Sequence, residues 1–259
     1  MDPIITSVTF TENSVFQTHP LLLDVRQRRY LVGIRFSVQT TMLAARRLVT
    51  GLKRWSDCPP EEAAKPTNVE LFADAWSIVD NARRLQRLLY NMPGISEYSA
   101  VSDFVARWPE LKRMRDTMQH LDKDFGKERF ADNYVYGTIY WIDSRTRESK
   151  NKIYVHTVNA GPQANATLED FAFPSSIPID AGEDIHRVVL SVAGSPLRID
   201  DLLADIHNTI VSLDVDLTAA TELQFANQTN VSSERKARLE LKARTDFSYA
   251  IALTPRVQE

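Results

Sequence analysis

The stretch RDTMQH, residues 115–120, combines three side chains that can do acid–base and anion chemistry. An imidazole exchanges protons near neutral pH, a guanidinium holds a phosphate through two parallel hydrogen bonds, and a neighbouring carboxylate can orient either group. These parts suit metal-free cleavage of RNA, in which the ribose 2′-hydroxyl attacks the adjacent phosphate. His120 would move protons, Arg115 would stabilise charge on the phosphorane, and Asp116 would be the orienting group.

The same stretch lies in a segment whose apolar residues recur at the spacing of a helix. With about 100° per residue, Asp116 and His120 share a face that points away from the apolar seam, and Arg115 flanks that face. The alternative interpretation is an ordinary solvent-exposed stripe of a helix, because matches of two or three residues recur by chance. The seam itself is predicted to consist of Leu111, Met114, Met118, Leu121 and Phe125.

The elements that position this stretch are predicted to be helices packed as an up-and-down bundle. Apolar residues at spacings near 3.6 predict a long first helix within His19–Trp55, in which Gly33 is either a weak point or a site of close packing. A second helix ends at Asn91–Gly94. A third begins near Ser96–Ser99, is interrupted at Trp108–Pro109 and resumes with Pro109, and the resumed helix carries the apolar seam as far as Phe125.

Past Asn133 the apolar pattern changes to a period of two, which indicates β-structure. A helix is predicted from about Asp200 to Leu213, and Ala160–Gly182 is predicted to be a surface loop. The fold class is therefore α+β: an N-terminal antiparallel helical bundle over residues 1–131, followed by a smaller antiparallel β-rich region with one helix over residues 132–259. The predicted strands are Tyr134–Ile142, Ile153–Val158, Arg187–Val192 and Leu239–Leu253.

Composition limits the class of protein. A chain of 259 residues that is 43% hydrophobic and 25% charged can fold around a substantial core. It contains no apolar run long enough to span a membrane and no secretory pattern at its start, so we expect a cytoplasmic protein without a membrane partner. Cys58 is the single cysteine and the histidines lack metal-site spacing, so neither a metal nor a cofactor is expected.

The formal net charge of −3 gives no strongly basic field, so any site for a polyanion must be local. Arg83, Arg84 and Arg87 are close enough on the second helix to form one patch, and they are the candidate RNA-binding residues. The alternative is that these arginines form a solvated helix face.

Near the end of the predicted helical bundle, an arginine is followed by a polar residue, three variable residues and a histidine. This pattern resembles the signature of HEPN domains, the higher eukaryote and prokaryote nucleotide-binding superfamily. Arg115, Asp116 and His120 match it position by position, and the resemblance spans His19–Phe130. It implies a metal-independent endoribonuclease of a defence or toxin–antitoxin type system. It also implies a homodimer that brings two copies of the motif into one cleft, and a protein partner such as an antitoxin.

In that family an acidic or polar residue earlier in the bundle often supports the site, and Asp80 and Asn81 are the candidates here. Many family members lack activity and serve as interaction or structural domains. The alternative function is therefore a non-catalytic HEPN-like dimerisation and protein-interaction module. The resemblance assigns no role to the β-rich region.

Overall fold

The computed structural model describes residues 8–20, 23–57, 68–96, 98–120, 123, 136–143, 154–160 and 185–226. The fold is α+β, as predicted: helices come first, and a four-stranded antiparallel sheet and a final helix follow. No helix in these ranges is apolar over a length that could cross a bilayer. The helices that precede the sheet are α1 (Val15–Thr18), α2 (Val25–Asp57), α3 (Asn68–Asn91), α4 (Ser99–Arg107) and α5 (Glu110–Gln119).

Helices α2 and α3 pack against each other in antiparallel fashion. A Cβ atom at Gly33, near the start of α2, would lie 3.2 Å from Cδ1 of Leu88, near the end of α3. At the opposite end of the pair, a Cβ atom at Gly51 would lie only 2.6 Å from Cδ2 of Leu71. Gly33 is therefore a close-packing site, and both glycines let the two helices approach.

The predicted break at Trp108–Pro109 separates α4 from α5. The buried side chain of Gln86 holds this break against α3, because its Nε2 donates a hydrogen bond of 3.1 Å to the carbonyl oxygen of Trp108. Proline suits the position because it has no N–H group to leave unpaired at the start of a helix. The break thus places α5 alongside α3, where Arg115 of α5 contacts Asp80 of α3.

The strands are β1 (Thr138–Asp143), β2 (Tyr154–Asn159), β3 (Ile185–Val192) and β4 (Ser195–Arg198), in the order β2-β1-β3-β4 with every pair antiparallel. The first three confirm predicted strands with shifted ends. The edge strand β4 was not predicted, because it has only four residues and one of them is Pro196, which weakens the pattern of a strand. The predicted strand Leu239–Leu253 lies outside the described residues.

The final helix, α6, runs over Ile199–Ala226 and is longer than the predicted Asp200–Leu213. Among the described side chains of α6, Leu213 is the last that is fully buried and Leu217 beyond it is partly buried, so the apolar pattern weakens there although the helix continues. The predicted loop Ala160–Gly182 is described only at Ala160, where it lies beside the end of β2.

Helices and sheet share one hydrophobic core, to which α2, α3, the sheet and α6 all contribute buried side chains. Asp205 on α6 ties this final helix to the bundle. Its Oδ2 accepts a hydrogen bond of 2.7 Å from Nε1 of Trp108, and its Oδ1 pairs with the guanidinium of Arg107. The predicted boundary near residues 131–133 lies outside the described residues.

We expect Asp205→Ala to lower the free energy of unfolding by about 2–3 kcal/mol, because the change removes a charge-assisted hydrogen bond and leaves the indole N–H of Trp108 unpaired. Urea denaturation followed by circular dichroism measures the loss. The matched control is Asp216→Ala, an exposed aspartate on the same helix. Equal stability of the two variants would contradict the role given to Asp205.

Candidate functional site

Helix α5 presents different side chains to the core and to solvent. Leu111 and Met114 are buried, whereas Asp116 and His120 are exposed. His120 forms the C-terminal cap of the helix, with φ of −114° and ψ of 20°. Asp116 and His120 therefore lie on a face away from the buried seam, as the helical spacing predicts. The seam residues Leu121 and Phe125 lie outside the described residues.

Arg115 is directed toward α3, where it meets Asp80. Its Nε donates a hydrogen bond of 2.7 Å to Oδ1 of Asp80, and the Arg115 side chain is 25% exposed. The other carboxylate oxygen of Asp80 accepts from Arg84 at 3.0 Å. Asn81 does not share this role, because its Oδ1 accepts from Arg84 at 3.1 Å. Of the two candidate supporting residues, Asp80 is the one that contacts the arginine of the motif.

The three arginines predicted to bind RNA have different surroundings on α3. Arg84 is neutralised by Asp80, and Arg87 is exposed. Arg83 is half-buried, and its Nη1 donates a hydrogen bond of 3.0 Å to Oε1 of Gln86. Burial lowers the pKa of Arg83, and the nearby charge of Arg87 lowers it further.

The two charges on α5 act on Arg83 in opposite directions. Asp116 raises the pKa of Arg83 and Arg115 lowers it, so both α5 residues lie within electrostatic reach of this guanidinium. Arg83 thus has two cationic neighbours, Arg87 and Arg115, and one anionic neighbour, Asp116. An anion bound beside Arg83 would reduce the repulsion among these cations.

The other side of α5 forms a pocket with the turn between β3 and β4, which we name the His120 pocket. Its volume is about 340 Å³. Among the described residues, no side-chain hydrogen bond or ion pair of the His120 imidazole is present, and the residue is exposed. The lining residues are Arg113, Met114, Asp116, Thr117 and His120 from α5, and Val192, Ala193 and Ser195 from the sheet.

Sequence reasoning missed this pocket, because its two walls are far apart along the chain. Arg113, which lines it and pairs with Glu110 at 2.8 Å, was read only as part of a helix. Ser195 stands in the strand that the pattern did not reveal. The one signal for the opposing wall was the Ala193–Gly194 pair, where glycine suits a tight turn.

The structure therefore divides the predicted catalytic residues between two sides of α5. Arg115 faces α3 and Asp80, whereas Asp116 and His120 line the His120 pocket. His120 lies five positions after Arg115, which corresponds to roughly 140° around a helix. Across the described ranges, no group of three or more histidine, cysteine, aspartate or glutamate side chains is placed to hold a metal ion.

Comparison with models of known protein families, with curated proteins and with solved structures found no match. The HEPN resemblance is carried by Arg115, Asp116, His120 and the preceding helices alone, and it stays a prediction.

The contact between Arg115 and Asp80 can be measured by a double-mutant cycle. We expect Arg115→Ala and Asp80→Ala, singly and together, to give a coupling free energy of about 0.5–1 kcal/mol, a range set by the partial exposure of both side chains. The matched control is the cycle for Arg113 and Glu110, a more exposed pair within α5, for which about 0.3 kcal/mol is expected. A coupling of zero for Arg115 and Asp80 would show that the pair does not hold α5 against α3.

Proposed function

We propose that this protein is a metal-independent endoribonuclease of the HEPN type. The observation that supports the proposal most strongly is an exposed imidazole, His120, with Asp116 one turn before it, on a helix whose Arg115 is held by a carboxylate of α3. Arg83 with its cationic neighbours Arg87 and Arg115 supplies positive charge for a phosphate backbone. A defence or toxin–antitoxin role in the cytoplasm, with an antitoxin as protein partner, follows from the resemblance.

The proposed reaction is an internal transfer at one phosphate. The ribose 2′-hydroxyl attacks the adjacent phosphorus and loses its proton, and the bond from phosphorus to the 5′-oxygen of the next nucleotide breaks. That 5′-oxygen takes up a proton, so the products are a 2′,3′-cyclic phosphate and a 5′-hydroxyl end. His120 would accept or donate the transferred proton, Asp116 would orient the imidazole, and Arg115 would stabilise the extra negative charge on the phosphorane.

Arg83, Arg84 and Arg87 are proposed to bind the RNA backbone. Arg83 and Arg87 are the stronger candidates, because Arg84 already pairs with both Asp80 and Asn81. Phosphate contacts of this kind position a strand without reading its sequence, and they weaken as salt concentration rises.

We expect His120→Ala to lower the rate of cleavage of total RNA, measured in the presence of a chelator, by about a hundredfold or more, because a general acid–base group is lost. Gln119→Ala is the matched control, since Gln119 is exposed on the same turn of α5 and has no proposed role. Equal cleavage by His120→Ala and the wild-type protein would exclude this residue as the proton carrier.

The separation of Arg115 and His120 on α5 supports a homodimer in which the arginine of one copy and the histidine of the other act on the same phosphate. Two inactive variants should then complement each other. In an equal mixture of Arg115→Ala and His120→Ala that has exchanged subunits, half of the dimers are mixed and each mixed dimer holds one intact site. We therefore expect about a quarter of the wild-type activity.

Complementation is measured after the two variants are unfolded together and refolded, with each variant refolded alone as the control. Activity no higher than that of the separate variants would contradict a site shared between two copies. If the homodimer forms but the two variants do not complement each other, each active site lies within one chain.

One observation favours the second candidate function, a non-catalytic HEPN-like dimerisation and protein-interaction module. Arg115 is already paired with Asp80, so its charge serves to pack α5 against α3 without any substrate. Wild-type protein that forms a stable dimer but leaves total RNA intact would favour this function over the nuclease.

A further inference from the structure

We propose that the His120 pocket binds a nucleobase that carries an exocyclic amino group, and that the turn between β3 and β4 thereby selects which RNA nucleotide lies at the cleavage site. This inference rests on the proposed function and names the substrate class of the same site. It gives the β-rich region a role, because the sheet forms the wall opposite α5.

The size and lining of the pocket suit a flat aromatic ring. A volume of about 340 Å³ lies within the range of small-molecule sites, which is about 300–1,000 Å³. Met114 on α5 and Val192 on β3 line the pocket on its two sides, and because both are almost fully buried they present only a small apolar surface to a base. The hydroxyl groups of Thr117 and Ser195 line the same pocket and can hydrogen-bond to the edge of a base.

The carboxylate of Asp116 decides which part of a nucleotide enters. The Asp116 carboxylate repels a phosphate group, and Arg113, which also lines the pocket, is already paired with Glu110, so the phosphate is expected near the rim of the pocket. The same carboxylate accepts hydrogen bonds and cannot donate them when ionised, so it favours a base that offers an amino group. Adenine, guanine and cytosine carry such a group, whereas uracil presents a carbonyl oxygen at the position of the cytosine amino group and offers a carboxylate only its single N3–H.

The wall formed by the sheet has a fixed geometry. Val192 and Ser195 pair directly across the β3–β4 hairpin, which leaves a turn of two residues between them. Both turn residues have positive φ angles, 47° at Ala193 and 73° at Gly194, as the tight I′ turn of a hairpin requires. Because strand pairing holds the turn, the spacing between Ser195 and α5 is set by the sheet.

The test compares the binding of oligodeoxycytidine and oligodeoxyuridine to the wild-type protein. These strands cannot be cleaved, because they lack the attacking 2′-hydroxyl, and their bases differ by an amino group against a carbonyl oxygen. We expect about tenfold tighter binding of the cytidine strand, measured by fluorescence anisotropy. Ser195→Trp, which fills the pocket, should abolish this preference, whereas Pro196→Trp, on the opposite face of β4, should retain it.

Asp116→Asn provides a second variant that keeps the pocket volume and should also reduce the preference, even if Ser195→Trp folds poorly. Equal binding of both strands, no binding of either, or an unchanged preference in Asp116→Asn would overturn the inference. The proposed function is tested by a separate measurement, and it is wrong if the wild-type protein does not cleave RNA. If the protein prefers the cytidine strand but does not cleave RNA, the result would therefore support base binding in the His120 pocket and contradict the nuclease function.

Discussion

The carboxylate of Asp80 joins the two helices on which the candidate site depends. It accepts one hydrogen bond from Arg84 on its own helix and one from Arg115 on α5, so it holds α5 against α3 together with the hydrogen bond from Gln86 to Trp108. Once Arg115 is held on that side, helical geometry directs Asp116 and His120 to the other, where they reach the sheet. The same contact also brings Arg115 within electrostatic reach of Arg83, which concentrates positive charge between the helices.

The division of the motif has a physical consequence for any chemistry at this site. An arginine that is paired with a carboxylate is well oriented, but its charge is partly neutralised. Arg115 therefore binds a phosphate only if the phosphate displaces Asp80 or binds to the guanidinium nitrogens that Asp80 leaves open. The imidazole of His120, by contrast, is exposed beside a pocket. If the proposed function is right, a substrate strand would lie across α5, or two copies of the chain would meet there.

The parts of the fold that could be predicted from sequence are those with a long periodic pattern of apolar residues or with a local signal such as a proline. Helices α2 and α3 follow from apolar spacing, and the break at Trp108–Pro109 follows from proline chemistry. The pattern also placed Asp116 and His120 on one exposed face. It could not give the contact of Arg115 with Asp80 or the wall formed by Ser195, because these residues meet only through tertiary packing. Strand β4 is too short for its period to be recognised, and past Leu213 the apolar residues of α6 include the exposed Val215 and Leu223, which weakens the pattern of one buried face.

The central claim is that Arg115 and His120 act on a common phosphate. It is tested most directly by a crystal structure of the protein with a bound 2′-deoxy RNA analogue, which cannot be cleaved. The account predicts one phosphate that lies within about 3.5 Å of both an Arg115 guanidinium nitrogen and a His120 imidazole nitrogen, from one copy or from two. A strand bound elsewhere, or a phosphate held by Arg115 with His120 remote from it in every assembly, would contradict the account.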